Sequence, residues 1–578
     1  MKKAEKGTQE LGVFTRRWGG FVMGIWLMAL SGTYGFPNYS SALKEVLGLN
    51  QKQLNRLSVG KDLGDSFGII AGILSNHLPS QALLCIGAIV NIVGNGVQWL
   101  VVSKILKPPP YWIMFVLSVV AGNTMSWINT SVFTLSVHNF PRNRGPVAGI
   151  FKAYMGLSAA IYSHFCDVFF SSSPSRYLLM LSTVPPIFCV LTAIFFRQVP
   201  PSETAEDERV EQKSIFMFTI VSIALALLLI VKNLVPTFQQ GIAQPISTIL
   251  LCVLLISPAL VPLALFITVR RTSSLVHTKE DSYEIVSDID NGAASHVCLE
   301  ETKEEDELKA PLLDQGETHA SAVNGIQTNA TALDSENVSH PVSLSSPRLG
   351  DDYPASSLFR TWHAYVLYFT LFCGAGTGMA FANNLGQVSQ SFGFNTVTLF
   401  TSLFSLGNFF GRITSGNASE YFLRKFSTPR PAWIGLLKLP MIVFFVWLST
   451  GSNASLYAGS LAVGFSHGSH ITLAIPVASE FYGVKHFGIN YMVLNTHLLL
   501  GSAVLSAVIA GYLYDEHATY TSDDGFLTCY GRTCYGITFL VYAGLASAGL
   551  LLDMTLSFFS RPLYRHLQKI NTEVKRKM

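Results

Sequence analysis

Three ionisable side chains stand close together in an otherwise apolar stretch of the sequence, at Lys61, Asp62 and Asp65. Lys61 and Asp65 are four residues apart, so a helix would place them on one face, where they can form an ion pair. A carboxylate in such a stretch can also bind a proton or gate a pathway, because charges among apolar helices are costly and usually functional. Both interpretations stay open.

A fourth ionisable residue, Lys152, lies two turns into another apolar stretch, 145–166. A charge at that depth needs a partner or a water-filled cavity, unless its stem carries it to the surface. Lys152 is therefore expected either to pair with an anionic substrate or to extend towards the nearer membrane surface.

Three histidines lie in two further apolar stretches. His467 and His470 are three residues apart, and His497 follows Asn495 in the next stretch. Imidazole titrates near neutral pH, so proton coupling is one interpretation, and hydrogen-bonded packing is the other. No carboxylate accompanies these histidines, which argues against a metal site. The sequence indicates no metal and no other cofactor.

Other polar residues of the apolar stretches are expected either to line a pathway or to link helices through side-chain hydrogen bonds. They are Tyr34, Asn38, Asn123, Asn129, Asn383 and Asn384.

The elements that must position these residues are membrane helices. Of the 578 residues, 49% are hydrophobic and only 13% are charged, whereas soluble domains carry about 25% charged residues. Apolar runs long enough to cross a bilayer as a helix of roughly 20 residues recur along the chain. The sequence therefore predicts an all-α, multi-pass membrane protein, with the lipid bilayer as its surroundings and no nucleic-acid partner.

Fourteen spans are predicted, arranged as six, two and six. The first six are 18–39, 58–77, 79–103, 112–137, 145–166 and 177–197, and the middle two are 214–231 and 246–268. The last six are 359–382, 396–416, 432–449, 454–477, 487–513 and 535–559. The first span is too long for a removable signal peptide and has no clean cleavage site.

Basic residues cluster on one side of this topology, which the positive-inside rule makes cytosolic. Both termini are therefore predicted to be cytosolic. The clusters are Lys2, Lys3, Lys6, Arg16 and Arg17; Arg142 and Arg144; Arg270 and Arg271; Arg424, Lys425 and Arg430; and Lys575, Arg576 and Lys577.

The segment 271–357 differs from the rest of the chain. Residues 272–357 contain 17 acidic and 4 basic side chains, too polar a composition to offset the entropy of ordering, so a disordered cytosolic loop is predicted. Glu307-Leu-Lys-Ala-Pro-Leu-Leu313 loosely resembles an acidic dileucine signal, so trafficking or regulatory partners of this loop are one expectation, and a solvated linker is the other.

The predicted organisation has six parts. A cytosolic tail over 1–17 precedes a six-helix bundle over 18–197 and a linker with two additional helices over 198–270. The acidic loop over 271–357 leads to the second six-helix bundle over 358–560, and a basic cytosolic tail covers 561–578.

The two six-helix blocks share a sequence repeat. Leu63-Gly-Asp-Ser-Phe-Gly68 returns as Leu406-Gly-Asn-Phe-Phe-Gly411, 343 positions later. Other matched glycines, such as Gly122 with Gly464 and Gly145 with Gly488, keep offsets of 342 and 343. A constant offset along successive helices indicates a duplicated unit in parallel orientation, an architecture that places a substrate site between the halves near the bilayer midplane.

A motif of small and charged residues indicates which family this two-half architecture resembles. Gly411, Arg412, Gly416, Glu420, Arg424 and Lys425 resemble the cytosolic loop motif of the major facilitator superfamily, where they would act in gating. Glu420 stands where that family usually has Asp. The matching site of the first half, from Gly72 to Asn76, has lost the acid and the basic cluster.

Further stretches resemble the plant nodulin-like subgroup of that superfamily, which includes nuclear-fusion-defective proteins. They are Arg17-Trp-Gly-Gly-Phe, Tyr39-Ser-Ser-Ala-Leu-Lys44, Leu57-Ser-Val-Gly-Lys-Asp62, Asn139-Phe-Pro-Arg-Asn-Arg-Gly145 and Gly156-Leu-Ser-Ala-Ala160. The resemblance implies a plant transporter-like protein of the plasma or vacuolar membrane and does not supply a substrate.

The favoured function is a secondary active or facilitative transporter that moves a small polar or anionic solute by alternating access, with proton coupling as an option. The alternative is a transporter-derived sensor that signals without net transport. An enzyme is not indicated, because the chain has no Walker loop, nucleophile elbow or His-Glu-x-x-His motif. Cys529 and Cys534 lie in a loop on the predicted non-cytosolic side, where oxidising conditions favour a structural disulfide.

Overall fold

The computed structural model describes residues 2–32, 35–49, 51–171, 173–200, 205–234, 244–264, 349–394, 397–517, 519–520 and 527–577. These residues are almost entirely helical, and the all-α fold class is confirmed. Two short strands, β1 (Thr519–Tyr520) and β2 (Leu527–Thr528), pair antiparallel.

The described residues of the first half and of the insertion after it form ten helices. They are α1 (Lys2–Ala29), α2 (Pro37–Leu47), α3 (Gln51–Ser66), α4 (Ile69–Leu74), α5 (Ser80–Val102), α6 (Tyr111–Asn139), α7 (Arg144–Phe170), α8 (Pro174–Phe195), α9 (Ala205–Leu234) and α10 (Gln244–Ala264).

In the second half, the residues that the structure describes form seven helices. They are α11 (Ala355–Leu358), α12 (Trp362–Ser391), α13 (Val397–Phe426), α14 (Arg430–Leu448), α15 (Asn453–Phe481), α16 (Phe487–His517) and α17 (Gly536–Lys577). Segments of π-helix interrupt α5 at Ile92–Gly96, α12 at Phe372–Gly376 and α16 at Gly501–Ala510.

Ten helices of the described residues are long and apolar enough to cross a membrane. They correspond to ten of the fourteen predicted spans, including the middle two. The other four predicted spans are also helical, in α1, in α3 with α4, in α7 and in α13, but these helices carry more charge. Three of them, α3, α7 and α13, carry the charged residues of the site described below, and α1 carries its charges within residues 2–17.

Several predicted boundaries were wrong. The span 18–39 ends at Ala29 as a helix, and Gly32 has a φ of 67°, a left-handed conformation that breaks it. The span 58–77 is two helices, since α3 ends at Ser66 and α4 begins at Ile69. The tail 561–578 continues helix α17 as far as Lys577.

The end of the predicted acidic loop is also ordered. Residues 271–348 lie outside the described residues, but Tyr353 is buried and its ring packs edge-on against Tyr482. The backbone N–H of Tyr353 donates to the carbonyl of Tyr482 at 3.1 Å, and the Asn490 amide donates to the Tyr353 carbonyl at 2.9 Å. The prediction of disorder was therefore wrong for the last residues of 271–357, which anchor to the turn between α15 and α16.

The internal repeat is visible as one helix crossing that occurs twice. A Cβ built on Gly64 would lie 2.0 Å from the Val119 carbonyl, and one on Gly407 would lie 2.0 Å from the Leu461 carbonyl. Val119 and Leu461 are themselves 342 positions apart. No side chain fits at either glycine, so the second and fourth helices of each half meet backbone to backbone.

The inserted helices α9 and α10 pack on the first half. The Trp26 indole donates to the Leu255 carbonyl at 2.6 Å, joining α1 to α10. His164 Nε2 on α7 lies 2.9 Å from the Thr248 hydroxyl of α10, and Lys232 of α9 lies 3.6 Å from the Asp167 carboxylate of α7.

Candidate functional site

Lys152 lies two turns after the start of α7 and is 3% exposed. Its Nζ stands 4.8 Å from the centre of the Phe133 ring, a cation–π distance. The side chain is therefore enclosed by the protein. This disfavours the expectation that Lys152 extends towards the nearer membrane surface.

Arg412 faces Lys152 from the other half of the molecule. Its side chain is fully buried on α13; Nε donates to Asn408 Oδ1 at 2.8 Å, and Nη1 donates to the backbone carbonyl of Lys152. A Cβ on Gly156 would lie 2.9 Å from that Nη1, so this glycine leaves room for the guanidinium. Arg412 belongs to the predicted gating motif by sequence, and its side chain lies at the contact between the halves.

One acidic residue of α3, Asp65, lies near Lys152. The Asp65 carboxylate interacts electrostatically with Lys152 and Lys61, and Lys61 also interacts with Asp62. The Ser126 hydroxyl lies 3.5 Å from Asp65 Oδ1. Lys152 therefore has a carboxylate of its own half and the Arg412 guanidinium of the other half in its surroundings.

The predicted histidines are all buried in the second half. His467 Nδ1 lies 3.0 Å from the Ala375 carbonyl, and His467 interacts electrostatically with Arg412 and His497. His497 Nδ1 lies 2.6 Å from the Leu494 carbonyl, while its Nε2 has no hydrogen-bond partner among the described residues. His470 is placed elsewhere, with its two ring nitrogens against the carbonyls of Ser466 and Ile434.

The predicted asparagines are divided between several places. Asn123 links α6 to α3 and to Trp127, and Asn383 and Asn384 bind Ser502 and Ser506 of α16. Asn129 is buried, with an amide oxygen that has no partner among the described residues. Asn38 is exposed and Asn495 is half-buried. Tyr34 lies outside the described residues.

A charge network closes one end of the molecule, which we call the basic end because the arginines near the start of α7, the end of α13 and the start of α14 meet there. Buried Arg430 binds the Glu480 carboxylate at 2.8 and 3.0 Å, Glu420 at 2.6 Å and the Ser419 hydroxyl at 2.7 Å. The Tyr564 hydroxyl donates to Glu480 at 2.9 Å. Burial alone would raise the pKa of Glu420, but Arg430 and Arg424 outweigh it and hold that pKa below its usual value.

Arg424 connects this charge network of the second half to residues of the first half. Its Nε lies 3.1 Å from Glu420 on its own helix, and its Nη2 donates to Asn143 Oδ1 at 2.8 Å and to the Arg142 carbonyl. Lys425 points outwards against Tyr421. The residues expected in a loop after the tenth span lie within the last turns of α13, because that helix runs on to Phe426.

Two glycines of the network allow the halves to touch. A Cβ on Gly416 would lie 2.6 Å from the Gly145 carbonyl, and one on Gly145 would lie 2.7 Å from the Gly416 carbonyl. Gly411 instead packs within its own half, against the Phe465 carbonyl. On the other side of the basic end, a Cβ on Gly72 of α4 would lie 2.7 Å from the Cα of Ile489 on α16.

Sequence reasoning missed one buried charge cluster in the second half. Lys438 of α14 forms an ion pair with Asp553 of α17, and both side chains are fully buried. The Thr370 hydroxyl lies 2.7 Å from Lys438 Nζ and donates to Asp553 Oδ1 at 2.6 Å. Both charged residues fall inside predicted spans, so the rule that singled out Lys61 would also have found them.

Cys529 and Cys534 form a disulfide in the structure, between β2 and α17. Among the residues that the structure describes, no group of three or more His, Cys, Asp or Glu residues is placed to hold a metal ion.

Two buried cationic side chains meet at the contact between the halves, Lys152 on α7 and Arg412 on α13. Buried charges of this kind are costly and mark candidate functional positions. At the basic end the halves are joined by side-chain hydrogen bonds, such as those from Arg424 to Asn143 and from Arg144 to Ser479.

Comparison with known proteins agrees with the sequence resemblance. Residues 17–263 match the nodulin-like family, and residues 355–565 match the family described as NFD4, C-terminal domain. Protein NUCLEAR FUSION DEFECTIVE 4 of Arabidopsis thaliana is 31% identical over 565 residues, which cover 96% of this chain and 90% of that protein.

Two solved structures are similar over most of their length. The fucose:proton symporter FucP of E. coli has 12% identity, with 94% of this chain and 99% of that chain covered, and a TM-score of 0.47. The proton:xylose symporter XylE bound to 6-bromo-6-deoxy-D-glucose has 10% identity, with 93% and 95% covered, and a TM-score of 0.48.

Proposed function

The chain belongs to the nodulin-like family that includes NUCLEAR FUSION DEFECTIVE 4, and on this basis we propose that it is a secondary active or facilitative transporter. Its substrate is a small anionic or polar solute, moved across the membrane by alternating access. The support comes from two six-helix halves related by a repeat, with ionisable side chains where they meet.

The observation that carries the proposal is the pair of buried cations on opposite halves. Lys152 belongs to the first half and Arg412 to the second, and Arg412 donates to the Lys152 backbone. An anion held between them would contact both halves at once. Its binding energy would then depend on how the halves are arranged, which is what couples a solute to a rocking motion.

The acidic residues provide a route for proton coupling. Asp65 lies within electrostatic range of Lys152, so protonation of Asp65 would strengthen the positive field at the site and favour an anion. A proton and an anion would in this way be bound together. Asp62, on the same helix, is the second candidate for this proton.

Alternating access requires that the halves separate at the basic end in one state. In the described state that end is closed by the Gly145–Gly416 contact and by Gly72 against Ile489. These are contacts of backbone with backbone and carry no covalent link between the halves. These contacts can therefore separate in a hinge motion of the two halves about the contacts near Lys152.

The experiment is uptake of a panel of small solutes into proteoliposomes, with and without a pH gradient. We expect uptake of one anionic solute class, lost in Lys152→Ala and reduced in Asp62→Asn under a pH gradient. Lys107→Ala removes an exposed lysine and serves as the matched control, with uptake expected at the wild-type level.

Two results would contradict the proposal. If Lys152→Ala and Asp62→Asn both leave all coupled uptake unchanged, the assigned residues are wrong. If the wild-type protein transports no member of a broad anionic and neutral panel yet binds one of them, a sensor derived from a transporter explains the fold better.

The protein is a multi-pass membrane protein. We place it in the plasma or vacuolar membrane, with the basic end and both termini in the cytosol, because the basic clusters follow the positive-inside rule. On this orientation the acidic segment 271–348 is cytosolic and accessible to trafficking or regulatory partners.

A further inference from the structure

The two halves differ in the acid of the gating motif. In the second half Glu420 supplies the carboxylate that binds Arg424 and Arg430. The matching position of the first half, 344 residues earlier, is Asn76, and an amide cannot supply that charge. The motif of the first half therefore supplies no carboxylate to the basic end, where Arg142 precedes α7.

A carboxylate for that end comes from the inserted helix α9. Glu208, in its first turn, is buried and binds Arg142 Nη1 at 3.0 Å through Oε2. Its other oxygen, Oε1, lies 3.3 Å from Arg424 Nη1 of the second half and accepts from Gln212 Nε2 at 3.1 Å. One carboxylate of the insertion thus binds an arginine of each half.

The attachment of α9 itself lies on the first half. One turn after Glu208, Glu211 accepts a hydrogen bond from the Asn143 amide and lies 3.8 Å from Arg17 of α1. Further along α9, Lys232 lies 3.6 Å from Asp167 of α7. The helix is therefore fixed to the first half at both of its ends, and the Glu208–Arg424 contact reaches across to the second half.

We propose that the inserted helix α9 is a clamp of the transport cycle, and that Glu208 holds the basic end closed by binding Arg142 and Arg424 together. Opening that end requires Arg424 to leave Glu208, Asn143 and the Arg142 carbonyl in one step. Glu420 binds two arginines of its own half, whereas Glu208 binds one arginine of each half, so the insertion supplies a carboxylate that bridges the halves.

This clamp explains why the insertion enters the fold where it does. The helix follows directly after the first six-helix half and returns its amino-terminal turns to the loop between α6 and α7. An extra pair of helices with only a packing function would have no need of two buried carboxylates at that end, since burying a charge is costly unless it is paired.

The test is hydrogen–deuterium exchange on the full chain in lipid nanodiscs, without solute. It needs no substrate, so it can fail or succeed independently of the transport proposal. In Glu208→Gln we expect amide exchange over residues 140–149 and 412–426 to be about fivefold faster than in the wild type, a usual size for one coupling contact. Exchange in α5 should stay unchanged.

Two controls make the result specific. Arg209→Gln changes the charge of the neighbouring, exposed residue of α9, and exchange at the basic end should then match the wild type. Glu208→Asp keeps the charge on a shorter stem and should give an intermediate rate, which also provides a measurement if Glu208→Gln fails to fold.

A double-mutant cycle tests the contact across the halves. If Glu208 acts through Arg424, Glu208→Gln combined with Arg424→Gln should increase the exchange rate by clearly less than the product of the two single effects. Independent effects of the two variants, or wild-type exchange in both Glu208→Gln and Glu208→Asp, would overturn the clamp.

Discussion

Removing the charge of Asp553 is expected to destabilise the second half strongly. Asp553→Asn would leave the Lys438 ammonium in a fully buried position with the Thr370 hydroxyl as its nearest described partner. Breaking a buried ion pair on one side costs about 3–5 kcal/mol. The ammonium can instead lose its proton; with an ordinary pKa of about 10.4, this costs about 4.6 kcal/mol at pH 7. Both routes therefore predict a similar decrease in the free energy of unfolding.

The assay is thermal unfolding of the purified protein in nanodiscs. If the roughly 200 residues of the second half unfold as a unit, each kcal/mol shifts the midpoint by about 2–4 °C, so we expect a decrease of about 6–20 °C. Loss of the proton becomes easier as pH rises and would cost only about 1.9 kcal/mol at pH 9. The defect of Asp553→Asn should therefore be smaller at pH 9 than at pH 7.

The double variant Lys438→Met with Asp553→Leu separates charge from packing. Replacing both members of a buried pair by apolar residues of similar volume is often neutral or stabilising, so its midpoint should lie within a few degrees of the wild type. The reasoning would be refuted if Asp553→Asn were as stable as the wild type, or if the double variant were as unstable as the single one.

Two further predictions concern the basic end. Gly416→Ala places a Cβ 2.6 Å from the Gly145 carbonyl and should speed hydrogen exchange over 145–149, whereas Gly544→Ala, where nothing lies within 4 Å, should not; equal exchange in both variants would contradict the close contact. Burial raises the pKa of Glu420, but Arg430 and Arg424 lower it by more, so the pKa in the folded protein lies below the ordinary value of about 4.3. The stabilisation by the Glu420 charge is therefore complete above that ordinary value and is lost as the pH falls through the folded pKa. Glu420→Gln should therefore lower the unfolding midpoint equally at pH 7 and pH 5.5, and a difference that disappears at pH 5.5 would argue against this sign.

Much of the fold could be predicted from the sequence because its signals are local. Apolar runs of span length identify membrane helices one at a time, and small residues that recur at a constant offset identify the duplication. The Gly64 and Gly407 crossings, each against a carbonyl at 2.0 Å, confirm that the repeat reports a real packing surface. Helix ends were harder, because an apolar run continues through Gly32 while the backbone turns there.

The site could be predicted only in part, because contacts between distant segments decide it. Lys152 was identified from its depth in a span, but nothing in its neighbourhood indicates that Arg412, 260 positions later, lies against it. The direction in which the Arg412 side chain points depends on how α13 is rotated about its own axis. The packing of α13 on α7 and α15 determines that rotation. Lys438 and Asp553, 115 positions apart, pair for the same reason, and Glu208 reaches Arg424 from a helix whose place in the bundle has no counterpart in the repeat.

The described residues on both sides of the long acidic segment contact the rest of the protein. On one side the Trp26 indole binds the Leu255 carbonyl in α10; on the other, Tyr353 is held by Tyr482 and Asn490. The chain is thus bound to the protein both before and after the acidic segment. We therefore expect that the two halves keep their arrangement without a covalent connection through that segment. The protein should tolerate being produced as two separate polypeptides, divided between residues 266 and 346, that assemble in the membrane through the interface already formed by α7 and α13.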